Sequence, residues 1–188
     1  MKTHFAALAT LTIALLGCGQ AEHQADGSSG QVPATQLLAT ITFQVDRPEG
    51  KQDSPSPYIS LADPENDLRL LRNAGQVVYA GTELTLVLDY PLRGEFSFPV
   101  NASSPNGFTR AELARKVAAL YRKVYEEEEK TSKIAVIPPE QRQGVANRNE
   151  TNGKYGIWGH DLGDLDLHTI EISRGADGTV LAHLGIDS

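Results

Sequence analysis

Cys18 is the only cysteine in this chain, and that fact constrains the fold more than any other feature. A disulfide needs two cysteines, so none can form within the chain, and the fold must depend on packing alone. The chain has 188 residues, of which 40% are hydrophobic. That length suits one domain with a substantial core.

Cys18 also ends a segment that is built like an export signal. Lys2 gives the segment a basic start, and residues 5–16 are apolar or small apart from two threonines. A helix that spans a membrane needs roughly 20 apolar residues, so this shorter stretch predicts the apolar region of a signal peptide.

The run Leu15-Leu16-Gly17-Cys18 resembles the lipobox of bacterial lipoproteins. This resemblance, which covers the first 19 residues, implies that residues 1–17 are removed and that Cys18 becomes the lipidated N-terminus. Gly17 would give a peptidase access to the backbone, and the Cys18 thiol would carry diacylglycerol. Several acyl chains give stable anchoring. The alternative is an ordinary secretory signal with a chance cysteine.

Gly19 bears on the membrane to which the protein is delivered. In Gram-negative lipoproteins an aspartate at this position signals retention in the inner membrane, so its absence here implies an outer-membrane protein that faces the periplasm. In a host with a single membrane, the same anchor would hold the protein at the cell membrane.

The charge of the chain limits its partners. The formal net charge is −7, and removal of residues 1–17 takes away one positive charge, that of Lys2. An acidic protein is a poor ligand for nucleic acid and for an anionic lipid surface. We therefore expect no nucleic-acid partner, and we expect membrane contact through the lipid on Cys18.

Hydrophobic periodicity predicts a single α+β domain over residues 37–188, preceded by a flexible tether over residues 18–36. Apolar residues alternate in 37–45, in 83–90 and in 96–100, and the last two segments form a predicted hairpin. Short strands are predicted at 58–61 and 77–79. Residues 168–173 and 179–186 form a predicted final hairpin. The sheet is expected to be mainly antiparallel.

Two helices are predicted between these strands. Asp63 followed by Pro64 predicts the start of a short helix that Gly75 could end, with a hairpin arm as the alternative. Thr109 and Glu112 form a predicted capping box for one long amphipathic helix that packs on the sheet. Its apolar stripe consists of Leu113, Val117, Leu120 and Val124.

The densest polar cluster in the sequence lies between residues 160 and 168. Histidine and aspartate can bind a divalent metal or act as an acid–base pair, so a metal is the one cofactor that this cluster suggests. The spacing fits no established metal motif. A polar turn in which aspartates cap backbone amides is the interpretation that the pattern favours. The cluster comprises His160, Asp161, Asp164, Asp166 and His168.

The register of the final hairpin affects this cluster. If Ile170 and Ile172 share a face with Ala182 and Leu184, core and solvent faces separate well, and His183 lies on the face opposite His168. We favour this register over the one that brings the two histidines together.

Two further features have competing interpretations. Trp158, the only tryptophan, is set between glycines. A core aromatic is favoured, and an exposed contact for a protein or glycan partner is the alternative. Residues 126–129 are four glutamates at the end of the long helix. They predict a solvated helix end, with an acidic patch for a basic partner or Ca²⁺ as the alternative.

These observations favour a lipid-anchored binding or interaction protein of the cell envelope, one that is not an enzyme. No nucleophile elbow, Walker loop or nucleophilic cysteine is present in the sequence. Unknown envelope proteins or glycans are the expected partners. The alternative is a periplasmic hydrolase or a metal-binding protein that uses the cluster at residues 160–168.

Overall fold

A computed structural model describes residues 35–46, 57–143 and 147–188. The predicted signal peptide 1–17, the predicted lipidation site Cys18 and most of the predicted tether lie outside these residues. Within them the chain forms an α+β fold with a mainly antiparallel sheet, as the sequence predicts. No helix in the described ranges combines the length and apolar character needed to cross a bilayer.

Eight strands and two α-helices make up the described fold. In chain order they are β1 (Gln36–Thr42), β2 (Ile59–Ser60), α1 (Pro64–Leu68), β3 (Val77–Tyr79), β4 (Glu83–Leu88), β5 (Phe96–Asn101), β6 (Phe108–Thr109), α2 (Arg110–Thr131), β7 (Asp166–Arg174) and β8 (Val180–Asp187). The main sheet has the order β1-β7-β8-β4-β5, with β2 pairing to the start of β7. Only β4 and β8 pair in parallel among the neighbours of this sheet, and β3 and β6 form a separate pair.

The final hairpin adopts the predicted register over most of its length. Ile170 lies opposite Leu184 and Ile172 lies opposite Ala182. Both isoleucines are fully buried. Burial of the apolar face thus fixes the register, as expected. The pairing shifts between Leu167 and Thr169, where β7 contains a bulge.

The N-terminus of α2 is capped by half of the predicted capping box. Thr109 Oγ1 accepts the backbone N–H of Glu112 at 3.2 Å. The Glu112 carboxylate instead accepts the backbone N–H of Ser103 at 2.6 Å. The helix buries one face, whose fully or nearly fully buried residues are Leu113, Ala114, Val117, Ala118, Tyr121, Val124, Tyr125 and Glu128.

Helix α1 is shorter than predicted. It ends at Leu68, well before Gly75, and the Asp63 side chain makes no capping hydrogen bond. The chain after it bonds to the segment that follows β1: Arg72 donates its backbone N–H to the carbonyl of Gln44. Leu71 forms a bridge with Val45. These contacts replace the helical hydrogen bonds that a longer α1 would need.

Candidate functional site

Three aromatic rings lie together at the surface, and we call Tyr90, Trp158 and His160 the aromatic patch. The ring of Trp158 stands edge-on to that of Tyr90, with centroids 5.4 Å apart at 87°. His160 lies 5.5 Å from Tyr90 and 6.1 Å from Trp158. Trp158 is 40% exposed. The favoured prediction of a core tryptophan is therefore wrong, because the main core closes without this side chain.

Buried tyrosines of α2 hold the backbone of the patch. The hydroxyl of Tyr121 donates to the carbonyl of Tyr90 at 2.7 Å, and that of Tyr125 donates to the carbonyl of His160 at 2.9 Å. Burial raises the pKa of both phenols far above the usual value, so both remain protonated donors. The positions of Tyr90 and His160 are therefore tied to the most buried face of the helix.

Trp158 itself is held by the turn after β4. Its backbone N–H donates to the carbonyl of Pro91 at 3.1 Å. Its indole N–H points to the carbonyl of Leu92 at 3.4 Å. The ring is thus oriented by its own hydrogen bond, although two fifths of the side chain faces solvent.

An ion pair supports the chain directly after His160. Arg142 binds Asp161 through two bonds, Nη1 to Oδ2 at 2.5 Å and Nη2 to Oδ1 at 3.0 Å. The Arg142 side chain is only 5% exposed. The bond from Arg142 lowers the pKa of the Asp161 carboxyl below its usual value. Asp161 is therefore occupied as a structural carboxylate.

A second arginine lies beneath the same segment. Arg148, whose side chain is 3% exposed, places Nη1 3.6 Å from Asp161 Oδ1. Its guanidinium lies over the ring of Tyr125 at 5.1 Å. Its backbone N–H donates to the carbonyl of Gly159 at 3.1 Å. Every residue from 158 to 161 thus has a direct bond to a supporting element.

The remaining aspartates of the predicted cluster have separate roles. Asp164 Oδ2 accepts the backbone N–H of Asp161 at 2.8 Å, next to a short 3-10 turn at Leu162–Asp164. This is the amide-capping turn that the sequence favours. Asp166 begins β7 and lies opposite Asp187 on β8.

His168 occupies the β7 bulge, and its placement corrects a prediction. The bulge moves the side chain onto the face of His183, whereas a regular strand would have put it on the opposite face. Gly185 permits this, because a Cβ there would lie 2.7 Å from His168 Cε1. His168 Nδ1 is 2.7 Å from Thr169 Oγ1. With Glu171 it lines an open depression of about 330 Å³.

The five residues of the predicted cluster therefore do not converge on one point. His160 belongs to the aromatic patch, Asp161 and Asp164 to the turn, and Asp166 and His168 to β7. Across the described ranges, no three histidine, cysteine or acidic side chains are grouped so that they could hold a metal ion.

The glutamates at the end of α2 differ from the predicted solvated run. Glu128 is fully buried and accepts backbone N–H groups from Gly153 and Tyr155 at 2.7 Å and from Gly156 at 3.1 Å. Burial raises its pKa, but bonds from Thr151 and from these amides outweigh that effect, so its pKa lies below the usual value. The prediction is wrong for Glu128 because this carboxylate anchors a loop.

Glu127 makes a second anchor beside it. It accepts from Lys154 Nζ at 2.8 Å and from the Tyr155 hydroxyl at 2.6 Å. These two bonds lower the pKa of Glu127 to about 2. The two glutamates thus hold both the backbone and the side chains of the loop that leads to Trp158.

Sequence reasoning missed Tyr90, Arg142 and Arg148 as parts of this site. One signal was present: three carboxylates within residues 160–168 have no lysine or arginine in that segment, so a buried carboxylate must be paired with a cation from elsewhere in the chain.

Comparison with protein-family models, curated proteins and solved structures finds no match to this chain.

Proposed function

We propose that this protein is a lipid-anchored, non-catalytic binding protein of the bacterial cell envelope, and that the aromatic patch is its contact surface. The anchor in this proposal is the lipid on Cys18, with the domain at the outer membrane facing the periplasm. The observation that carries the proposal is that Trp158 stays 40% exposed while hydrogen bonds fix its ring and backbone.

Tryptophan and tyrosine are enriched among residues that dominate binding energy. A fixed ring also loses little conformational entropy when a partner covers it. The patch has both properties, since α2 and the turn after β4 hold Tyr90, Trp158 and His160 in place. In this proposal α2 is the long amphipathic helix on which the sheet packs, and its buried tyrosines position the binding surface.

The alternative, a hydrolase or metal protein built on residues 160–168, has less support. Asp161 is bound by two arginines and Asp164 caps a backbone amide, so both carboxylates already have structural partners. His160 lies in the loop before the 3-10 turn at Leu162–Asp164, whereas His168 lies on β7.

The contact surface is tested by photo-crosslinking in the source bacterium. A photoreactive phenylalanine replaces Trp158 in the full chain, and the matched control carries it at Ile134, which is 44% exposed. We expect a discrete covalent adduct from position 158 and none from position 134. Absence of an adduct at 158, or equal adducts at both positions, would overturn the proposed surface.

The anchor is tested separately. Cys18→Ser should abolish incorporation of labelled palmitate and release the protein from the membrane fraction, whereas Ser28→Ala in the same predicted tether should change neither. Palmitate labelling of the Cys18→Ser chain would contradict the lipidation assignment.

A further inference from the structure

We propose that the ligand of the aromatic patch is a neutral oligosaccharide of N-acetylated hexosamines, with one pyranose ring stacked on Trp158. This inference rests on the proposed function and specifies its ligand class. It is argued from the size of the patch, the polar groups around it and the sign of the nearby charge.

The patch is small for a protein interface. A stable interface covers about 800 Å² on each partner, and a buried aromatic side chain contributes about 150–250 Å². Trp158 is 40% exposed here, and Tyr90 and His160 are half-buried. A patch in which one ring is exposed to this extent is suited to a small ligand such as a sugar ring.

Polar groups lie beside the rings. The Tyr90 hydroxyl lies 2.9 Å from Ser188 Oγ, at the exposed edge of the patch. Within the described ranges, neither ring nitrogen of His160 has a hydrogen-bond partner. A sugar ring offers apolar C–H groups on its face and hydroxyl groups at its rim, so it can use the aromatic face and these polar groups together.

The acetamido group matches the same arrangement. Its methyl group can lie against an aromatic face, and its N–H and C=O can bond to an imidazole and a hydroxyl. The centroid of the His160 ring lies 6.1 Å from that of Trp158 and 5.5 Å from that of Tyr90. One sugar residue can therefore contact an aromatic face and a polar group at the same time.

The charge near the patch disfavours acidic sugars. Asp89 precedes Tyr90 and Asp187 precedes Ser188, and both aspartates are exposed. The neighbouring guanidinium groups are each paired with a carboxylate: Arg142 and Arg148 with Asp161, and Arg93 with Glu150. The whole chain carries a net charge of −7. A uronic acid or a phosphorylated sugar would be repelled by this field, whereas a neutral oligosaccharide would not.

The single tryptophan makes the test direct. The full-length lipoprotein in mild detergent is titrated with the tetramer of N-acetylglucosamine, and the fluorescence reports from position 158 alone. We expect a saturable change with a dissociation constant of about 10 μM to 1 mM. Tetragalacturonate should bind at least tenfold more weakly. Absence of saturable binding by the neutral tetramer, or equal binding of both probes, would overturn the inference.

Variants test the stacking by calorimetry, which does not need the tryptophan signal. Trp158→Ala should weaken binding of the tetramer at least tenfold, Trp158→Phe less than that, and Ile134→Ala less than twofold. Circular dichroism would verify that each variant is folded. Unchanged affinity in folded Trp158→Ala would place the sugar elsewhere and overturn the inference.

The crosslinking experiment separates this inference from the proposed function. An adduct at position 158 that glycoside hydrolases shorten supports both. An adduct that resists these enzymes and yields peptides of a second protein in mass spectrometry shows a protein partner, so the proposed surface would stand and the carbohydrate inference would fall. Absence of both an adduct and sugar binding would overturn both.

Discussion

The carboxylate of Glu128 accepts the backbone N–H of Tyr155 at 2.7 Å, although the two residues are 27 positions apart in the chain. The same carboxylate binds Gly153 and Gly156, and the ring of Tyr155 packs against Phe96 at 4.8 Å. The chain then continues to Trp158. The end of α2 therefore sets where the segment that carries the aromatic patch begins.

Replacement of Glu128 should destabilise the protein. In Glu128→Gln one oxygen is replaced by an NH₂ group that faces backbone N–H donors, so we expect the free energy of unfolding to fall by about 2–3 kcal/mol in urea denaturation. Glu126→Gln is the matched control, because Glu126 is exposed and lies 3.9 Å from Lys130. Its effect should be less than about 0.5 kcal/mol. Equal effects of the two changes would contradict the anchoring role.

The same anchors predict how stability depends on pH. The pKa of Glu127 falls from 4.5 to about 2 on folding, through its bonds to Lys154 and then Tyr155. A carboxyl whose pKa is lowered on folding stabilises the native state above its unfolded pKa, and this contribution is lost as pH falls.

The free energy of unfolding should therefore decrease between about pH 4.5 and pH 2. Glu127→Gln should make that decrease shallower, and Glu126→Gln should leave its shape unchanged. Urea denaturation at several pH values measures both slopes. An identical pH dependence in Glu127→Gln and the unchanged chain would contradict the assignment.

The sequence predicts much of the sheet because local pattern and burial agree there. Ile170 and Ile172 alternate with polar residues, so burial of one face selects their register. The same reasoning fails at His168, because a bulge adds one residue and reverses the face of the side chains before it. The Cβ-free position that accommodates the bulge, Gly185, lies on the partner strand and cannot be paired with His168 from local pattern.

The burial of a charged residue also depends on contacts that are distant in the sequence. Glu128 belongs to a run that resembles a solvated helix end, and only contacts with residues 25 to 28 positions later show that it is buried. Trp158 is the converse case. Its apolar ring and flanking glycines favour a core position. In the fold, however, the ring lies against Tyr90 and the carbonyl of Leu92, which come from a turn more than 60 residues earlier in the chain, and this placement cannot be seen in the local sequence.

Gly159, between Trp158 and His160, should tolerate a side chain poorly. Its φ is +74°, a left-handed conformation, although a Cβ there would meet no atom within 4 Å. Gly159→Ala should therefore cost about 1 kcal/mol through backbone conformation alone.

Gly163 is the matched control for this change. A Cβ there also meets nothing within 4 Å, and its φ is not left-handed. Gly163→Ala should alter the free energy of unfolding by less than about 0.5 kcal/mol. Thermal denaturation of both variants measures the difference, and a Gly159→Ala chain as stable as the Gly163→Ala chain would show that the turn can relax.

Asp161→Asn distinguishes a structural carboxylate from a metal ligand. The change removes the charged partner of Arg142 and Arg148, whose side chains are nearly fully buried. Loss of a buried partner costs about 3–5 kcal/mol, but Asp161 is 31% exposed, so we expect about 2 kcal/mol. Asp166→Asn should cost less than about 0.5 kcal/mol, since Asp166 faces the like charge of Asp187 across the sheet.

Chelation completes this test, because a metal ligand and a structural carboxylate respond to it differently. If Asp161 acts through the arginines, EDTA leaves the melting temperature of the unchanged chain where it is, and Asp161→Asn lowers it whether or not EDTA, Zn²⁺, Ca²⁺ or Mn²⁺ is present. If Asp161 were a metal ligand, a saturating ion would raise the melting temperature of the unchanged chain. That rise would disappear in Asp161→Asn and persist in Asp166→Asn, and this result would restore the metal hypothesis for residues 160–168.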